Sequence, residues 1–275
     1  MSTENGRCNR HARDDHIDFE KSTHTYTING SSDGVTSVTT LRDSYFIEFN
    51  PDEIVNQYYK RWQQNKFNKY YGKSKDEIKK TWKDNGKVAA ELGTGLHEAI
   101  ERFYLNNANN DDKLDGKTRT EWDYFLQFQK QYQLKPYRVE WMIWSSEHKL
   151  AGTVDMVVEK DDGKLVMYDW KRSKDKICKQ ERNYRYGKGP LSRVKDNKYY
   201  KYALQLNLYR KLLEDYYDCV VESLFIVRLH PNAATFEVVE MDIMEEEVKK
   251  ILNERRDQVA THYVTTNLAS LDIQE

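Results

Sequence analysis

Leu165-Val166-Met167-Tyr168-Asp169-Trp170-Lys171 is an apolar run that ends in an acid, an indole and a base, and it reads as a strand charged at one end. Upstream, Gly152-Thr153-Val154-Asp155 lies on a second apolar run, with Asp161-Asp162-Gly163-Lys164 between the two. Aspartate and glycine at such a turn predict a hairpin. Side chains alternate along a strand, so Asp169 and Lys171 project from one face and Asp155 can meet them from the neighbouring strand. Two carboxylates and an ammonium inside an apolar sheet are costly to desolvate unless something binds them. A divalent cation is the natural compensation, which makes these two strands a candidate metal site.

Outward from the hairpin, the order of elements defines the fold class. Tyr137 to Ser145 supplies a third strand before it, and Pro136 separates this strand-rich section from a helical N-terminal half. In that half, Thr23 to Asn29 alternates and turns at Asn29-Gly30, a small hairpin. Ser or Thr between Val35 and Leu41 can cap a helix. Pro51-Asp52-Glu53 opens a helix through about Tyr70. Ser74-x-x-Glu77 is a capping box that opens a longer helical region, broken near Gly86 and ending around Tyr104. Thr120 to Gln133 is another helix. After a polar, basic segment from Arg172 to Lys198, Tyr199 to Tyr217 reads as a helix, Val220 to Leu229 and Thr235 to Met241 as strands, and Met244 to about Tyr263 as a closing helix. The class is mixed α/β, a four- or five-stranded mixed sheet flanked by helices with a helical N-terminal portion. The divisions are a disordered tail over residues 1–18, a hairpin and helical region over 19–88, and a core over 89–275.

With 275 residues the chain can bury a sizeable core. Charged residues make up 32% of it, mean hydropathy is −0.94, and no run approaches the roughly 20 apolar residues of a membrane helix. The polar N-terminus lacks the apolar stretch of a secretory signal. Net charge is −1, so attraction to a polyanion must come from local patches. Cys8, Cys178 and Cys219 are widely spaced and form no CxxC pair, which argues for a reducing intracellular compartment (cytoplasm, nucleoid or nucleus) rather than secretion. Three thiolates are too few for a four-cysteine iron–sulfur cluster. Phosphate-loop, GxSxG and HExxH motifs are absent.

Three further features bear on chemistry. His97 stands in Gly93-Thr94-Gly95-Leu96-His97, on the shoulder of a buried stripe formed by Leu92, Leu96, Ile100 and Phe103. Gly93 and Gly95 each cost a helix about 1 kcal/mol, and such glycines often permit close approach of a backbone or ligand. Gln205 and Tyr209 are four apart on a helix whose Leu204, Leu208 and Leu212 serve the core, leaving Gln205 the odd member of an apolar surface. The segment after Lys171 interleaves Arg172, Lys174, Lys176, Arg182 and Arg185 with Tyr184. Cations could contact phosphates and tyrosines could stack on bases there, although a charge run is usually a solvated loop.

Taken in order, Gly-Thr-Gly-x-His97, Gly152-x-x-Asp155, Asp169-x-Lys171 and Gln205-x-x-x-Tyr209 resemble the RecB-type branch of the PD-(D/E)xK nucleases, among them its mitochondrial, phage and CRISPR-associated exonucleases. The resemblance covers about Gly93 to Tyr209. It implies a restriction-endonuclease-like core, with His97, Asp155 and Asp169 and the Trp170 carbonyl as ligands to Mg2+ or Mn2+, one or two ions. It implies Lys171 as the catalytic lysine, with Gln205 and Tyr209 facing the active site or DNA. Glu140 sits where relatives often carry an acid. Ser37 and Thr39 resemble a hydroxyl-bearing helix start used near a terminal phosphate, although ordinary capping explains them equally well. The third acidic position is Asp169 rather than Glu, and the cysteines that hold an iron–sulfur cluster in some members have no counterpart.

The expectation is therefore a metal-dependent DNA exonuclease in repair, recombination or replication. Metal-activated water would hydrolyse phosphodiesters to leave 5′-phosphates. Its partners would be single- or double-stranded DNA ends and a separate helicase, with no membrane. A dimeric or ring-shaped homo-oligomer is compatible with the chain, which specifies neither. A structure-specific endonuclease with the same chemistry, a catalytically silent DNA-binding module and a metal-dependent RNase are the rival readings.

Overall fold

A computed structural model describes residues 9–106, 118–180 and 184–271, with side chains to Tyr263. The expected strands form a six-stranded mixed sheet, one strand larger than anticipated. Its spine is β4 (Arg138–Ser145), β5 (Leu150–Glu159), β6 (Leu165–Lys171), β7 (Val221–Arg228) and β8 (Glu237–Glu240). Within it β5 pairs antiparallel with β4 and β6, β6 runs parallel to β7, and β8 returns antiparallel. The predicted turn joins β5 to β6, with Gly163 at φ +78° and its N–H donating to Lys160 O at 2.9 Å. The extra strand is β3 (Thr36–Ser37), parallel to the start of β5 at Leu150 and Ala151. A separate hairpin joins β1 (Ile17–Glu20) to β2 (Thr25–Ile28). Asn29-Gly30 then makes its tight turn between Ile28 and Ser31, both turn residues at positive φ.

Helices cover both faces of the sheet. On one side α1 (Val38–Ser44), α5 (Lys198–Tyr216) and α6 (Glu245–Leu271) share a core with Trp141, Ile143, Val157, Met167 and Ile226. On the other, α3 (Lys75–Asn106) and α4 (Arg119–Tyr132) pack Leu96, Ile100, Trp122, Phe125 and Phe128 against Met156, Val166, Tyr168 and Trp170. Between α1 and α3, α2 (Pro51–Gln63) is shorter than the expected run to Tyr70. Its start is capped by Asn50, which accepts from Asp52 N–H at 3.0 Å. The Ser74–Glu77 capping box forms: Ser74 Oγ accepts from Glu77 N–H at 3.2 Å and Glu77 Oε2 accepts from Ser74 N–H at 2.7 Å. Helix α3 then runs unbroken through Gly86, Gly93 and Gly95, so no break occurs near Gly86. Its continuity carries one rigid rod across the expected boundary at residues 88/89.

Residues 9–18 do not form a tail. They contain a 3-10 turn over Ala12–His16 capped by His11, and Asp14 is buried in an ion pair with Arg138 at 2.8 Å while also accepting from Trp141 Nε1 at 3.2 Å. A buried acid with two donors holds this segment on β4, which outweighs its polar composition. Residues 1–8 of the expected tail lie outside the described residues. Among the described residues, no helix is long and apolar enough to cross a membrane.

Candidate metal centre

The site lies where the sheet opens. One edge of β5 is filled by β4 from Leu150 to Val157, so β3 and β6 must share the other edge. There β3 takes residues 150 and 151, β6 takes 156 to 159, and residues 152–155 lie between them. Beyond the Met156–Tyr168 pair the ladder is replaced by a side chain, as Trp170 N–H donates to Asp155 Oδ2 at 2.9 Å. The backbone is displaced at the same level. Val139 and Met156 pack with α3 and α4, whereas Trp141 and Val154, two residues further along their strands, pack in the core on the α1 and α5 side. A regular strand returns to the same face every second residue. The two strands change phase at Glu140 and Asp155, which stand opposite one another, and Glu140 is held at φ +47°. That left-handed conformation costs a non-glycine residue roughly 1–2 kcal/mol, and strain of this kind concentrates at functional sites.

The phase change brings together residues from both helical layers. From α3, His97 Nδ1 lies 3.3 Å from Asp155 Oδ2. One ligand atom from each of His97, Glu140 and Asp155 falls within 4.8 Å of the others. From β6, Asp169 stands beside this trio on the α5 side, 1% exposed. Its Oδ1 accepts from Gln205 Nε2 at 3.1 Å, and its Oδ2 lies 2.5 Å from Lys171 Nζ. Asp169 thus lies buried between an amide donor and an ammonium. The expected pairing of Gln205 with Tyr209 is present but long, Gln205 Nε2 to the Tyr209 hydroxyl at 3.5 Å. Trp170 meets the site through its N–H, while its indole ring packs against Phe125 and Phe128.

Electrostatics follow from burial. Burial and the charges of Asp155, Glu101 and Asp169 hold the Glu140 carboxyl well above the usual carboxylate range. Burial pushes Asp169 up to about 6, with Asp155 adding to the rise and Lys171 opposing it. For Lys171 burial pulls downward, but the carboxylates of Asp169 and Asp155 outweigh it and the ammonium is held above its ordinary range. Three acids facing one ammonium leave uncompensated negative charge in a low-dielectric setting. Carboxylate oxygens together with an imidazole form a donor set able to hold a metal ion.

Three glycines of the motifs have distinct reasons. A Cβ on Gly152 would come 2.5 Å from Tyr209 Cε1, so the absent side chain lets the Tyr209 ring lie directly on β5. Gly93 and Gly95 have no atom within 4 Å of such a Cβ, so they leave open space rather than close packing. Gly93 lines a cavity of about 300 Å3 with Lys21, His97, Glu101 and Glu140. A second cavity of about 260 Å3 contains Ser37, Thr39, Gly152 and Tyr209, and the two share Phe19 and His24 of the β1–β2 hairpin. Ser37 caps α1 by accepting from Thr40 N–H at 3.0 Å and bonds the hydroxyl of Thr39 at 2.9 Å, so ordinary capping accounts for both.

The basic segment divides. Arg172 turns inward, its Nε 2.7 Å from Glu121 Oε1, and Glu121 is fully buried, so Arg172 is committed to α4 rather than to a ligand. Strand alternation explains this, since the residue after Lys171 falls on the opposite face. Lys174, Lys176, Tyr184 and Arg185 are exposed, and Arg182 lies outside the described residues. A residue that no spacing rule singled out completes the site: Arg42 on α1 donates from Nη1 to Gln205 Oε1 at 2.5 Å. A lone arginine 163 residues away from its partner in sequence leaves no local signal.

No protein-family model matches the chain, and no curated protein matches it in sequence. One solved structure, that of SSO0001, aligns over 83% of this chain and 78% of its own at 13% identity, with a TM-score of 0.31, too low to carry an argument.

Proposed function

We propose that the chain is a metal-dependent deoxyribonuclease of the RecB-type PD-(D/E)xK kind that works from DNA ends and leaves 5′-phosphates. The observation that carries this reading is the convergence of His97, Glu140 and Asp155 at one point of the opened sheet, beside a buried Asp169 paired with Lys171. These four side chains would hold Mg2+ or Mn2+. Glu140 joins the ligand set first expected as His97, Asp155, Asp169 and the Trp170 carbonyl. When bound, the ion supplies Lewis-acid polarisation of a phosphate and lowers the pKa of a coordinated water.

The chain's own groups do the rest. Held 2.5 Å from Asp169, Lys171 would act as a cation that binds a phosphoryl oxygen and neutralises charge developing on it. Gln205 fixes the rotamer of Asp169, and Arg42 fixes Gln205. This series from α1 through α5 to β6 keeps the carboxylate oriented without adding a charge to it. The ring of Tyr209 closes the wall behind Gly152. The open space at Gly93 and Gly95 leaves room for substrate beside His97.

The experiment is one time course on 5′- and 3′-labelled DNA, single- and double-stranded, linear and circular, in Mg2+, Mn2+ or EDTA. Metal-dependent loss of linear DNA with circular DNA intact supports the proposal. Cleavage of circles would favour the endonuclease reading, and binding without cleavage in either metal would end the enzymatic one.

A further inference from the structure

Residues 51–88 hold ten Lys and Arg against five Asp and Glu, a net charge of +5 in a chain whose total is −1. This stretch is one unit: α2, the 64–74 connection and the first part of α3. Its interior is aromatic, with Trp62 against Tyr70 at 4.7 Å, edge-on to Trp82 at 6.1 Å, and Trp82 Nε1 donating to the Tyr70 hydroxyl at 2.7 Å. The connection is built rather than loose. Gln63 accepts from Gly72 N–H at 2.8 Å and donates to Tyr70 O at 2.9 Å, while Asn65 and Asn68 accept from the N–H groups of Phe67 and Tyr70.

On this pinned connection Phe67 is 99% exposed and Tyr71 is exposed, as is Tyr58 on α2. Exposed rings on an ordered scaffold mark an interaction surface. Around them Lys60, Arg61, Lys66, Lys69, Lys73 and Lys83 make no ion pair among the described residues, whereas Lys79 and Lys80 are paired with acids of the unit itself. Every residue of α3 from Lys83 to Glu91 is exposed. A helix exposed on all faces has no packing partner, so α3 stands clear of the body for about 14 Å before it reaches the core. The same rod then carries His97.

We propose that the α2–α3 hairpin grips single-stranded DNA and leads it to the site at His97. Only the destination rests on the nuclease reading; the grip does not. Unpaired cations interleaved with exposed rings match a ligand that offers phosphates and bare base faces together, which a single strand does and a duplex, with its bases stacked inside, does not.

The test is fluorescence anisotropy on the full chain in EDTA, with labelled oligothymidylate and a duplex of equal length. Phe67→Ala/Tyr71→Ala is expected to weaken single-strand binding about 10- to 100-fold, because stacking is worth about 1–3 kcal/mol per base. Lys66→Gln/Lys69→Gln/Lys73→Gln is expected to weaken it and to flatten the slope of log affinity against log salt by about 2. All these side chains are exposed, so an unchanged thermal midpoint verifies folding. Parent-like single-strand affinity in the ring variant would overturn the proposal, as would a duplex bound as tightly as the single strand. A parent that binds through these rings but cleaves nothing in Mg2+ or Mn2+ would sink the nuclease reading and leave the grip standing.

Discussion

Replacing Asp169 by Asn separates a metal ligand from a structural partner of Lys171. The carboxyl is 1% exposed, and burial raises it from 3.8 to about 6. A folded-state value above the unfolded one means that the native protein holds more protons between about pH 4 and 6. The stability this group contributes is therefore present below pH 4 and lost as pH rises through 6. The difference corresponds to about 3 kcal/mol of destabilisation at pH 8 in the metal-free protein. Asn cannot ionise, yet its oxygen can still accept from Gln205. In EDTA at pH 8 the variant should therefore match the parent or exceed it by up to about 3 kcal/mol, less whatever Lys171 loses with its counter-ion, and near pH 4 that gain should vanish. Saturating Mn2+ reverses the order. A ligand at 100 times its dissociation constant adds about 2.7 kcal/mol to the parent, and the variant should gain much less. Cleavage should fall roughly 10³-fold, equivalent to about 4 kcal/mol of barrier. Urea unfolding at pH 4 and 8, with EDTA and with Mn2+, reads all of this. A variant more than about 2 kcal/mol less stable than the parent at pH 8 in EDTA would refute the reasoning, because the carboxylate would then be there for Lys171.

Other substitutions probe the surroundings. Gly152→Ala drives a Cβ to 2.5 Å from Tyr209 Cε1, and overpacking of this kind costs about 1–3 kcal/mol. A double-mutant cycle with Tyr209→Ala should recover part of that loss, and additive losses would show that the contact is not the cause. Lys171→Met keeps the aliphatic stem but removes the cation 2.5 Å from Asp169. Single-turnover cleavage should drop by about 10²–10³-fold, and near-parental turnover would remove Lys171 from the chemistry. Asp14→Asn leaves Arg138 buried without its counter-ion, so denaturant unfolding should show a loss of about 3–5 kcal/mol. A neutral result would mean that the 3-10 turn is dispensable to β4.

Much of the frame was legible because it is written in local periodicity. Asp161-Asp162-Gly163-Lys164 had to be a tight turn, Ser74 and Glu77 had to cap each other, and Leu204, Leu208 and Leu212 had to face inward. Where reading failed, a distant partner had overridden a local tendency. Polar residues 9–18 were held by Arg138 and Trp141. Gly86 weakened but did not break α3, since about 1 kcal/mol is small beside the cost of ending a helix whose two ends are both anchored.

The sequence by itself determined which side chains could serve a metal: His97 on its glycine-flanked turn, Asp155 after Gly152, and Asp169 with Lys171 on one strand face. Only the tertiary structure decided how they meet. It left residues 152–155 of β5 between β3 and β6, turned Glu140 into the cluster through a left-handed backbone, buried Arg172 against Glu121, and brought Arg42 to Gln205. The physical reason is that side-chain alternation is set by neighbours along the chain. Which strand edge stays open, and which helix lies over it, depends on contacts between segments far apart in sequence.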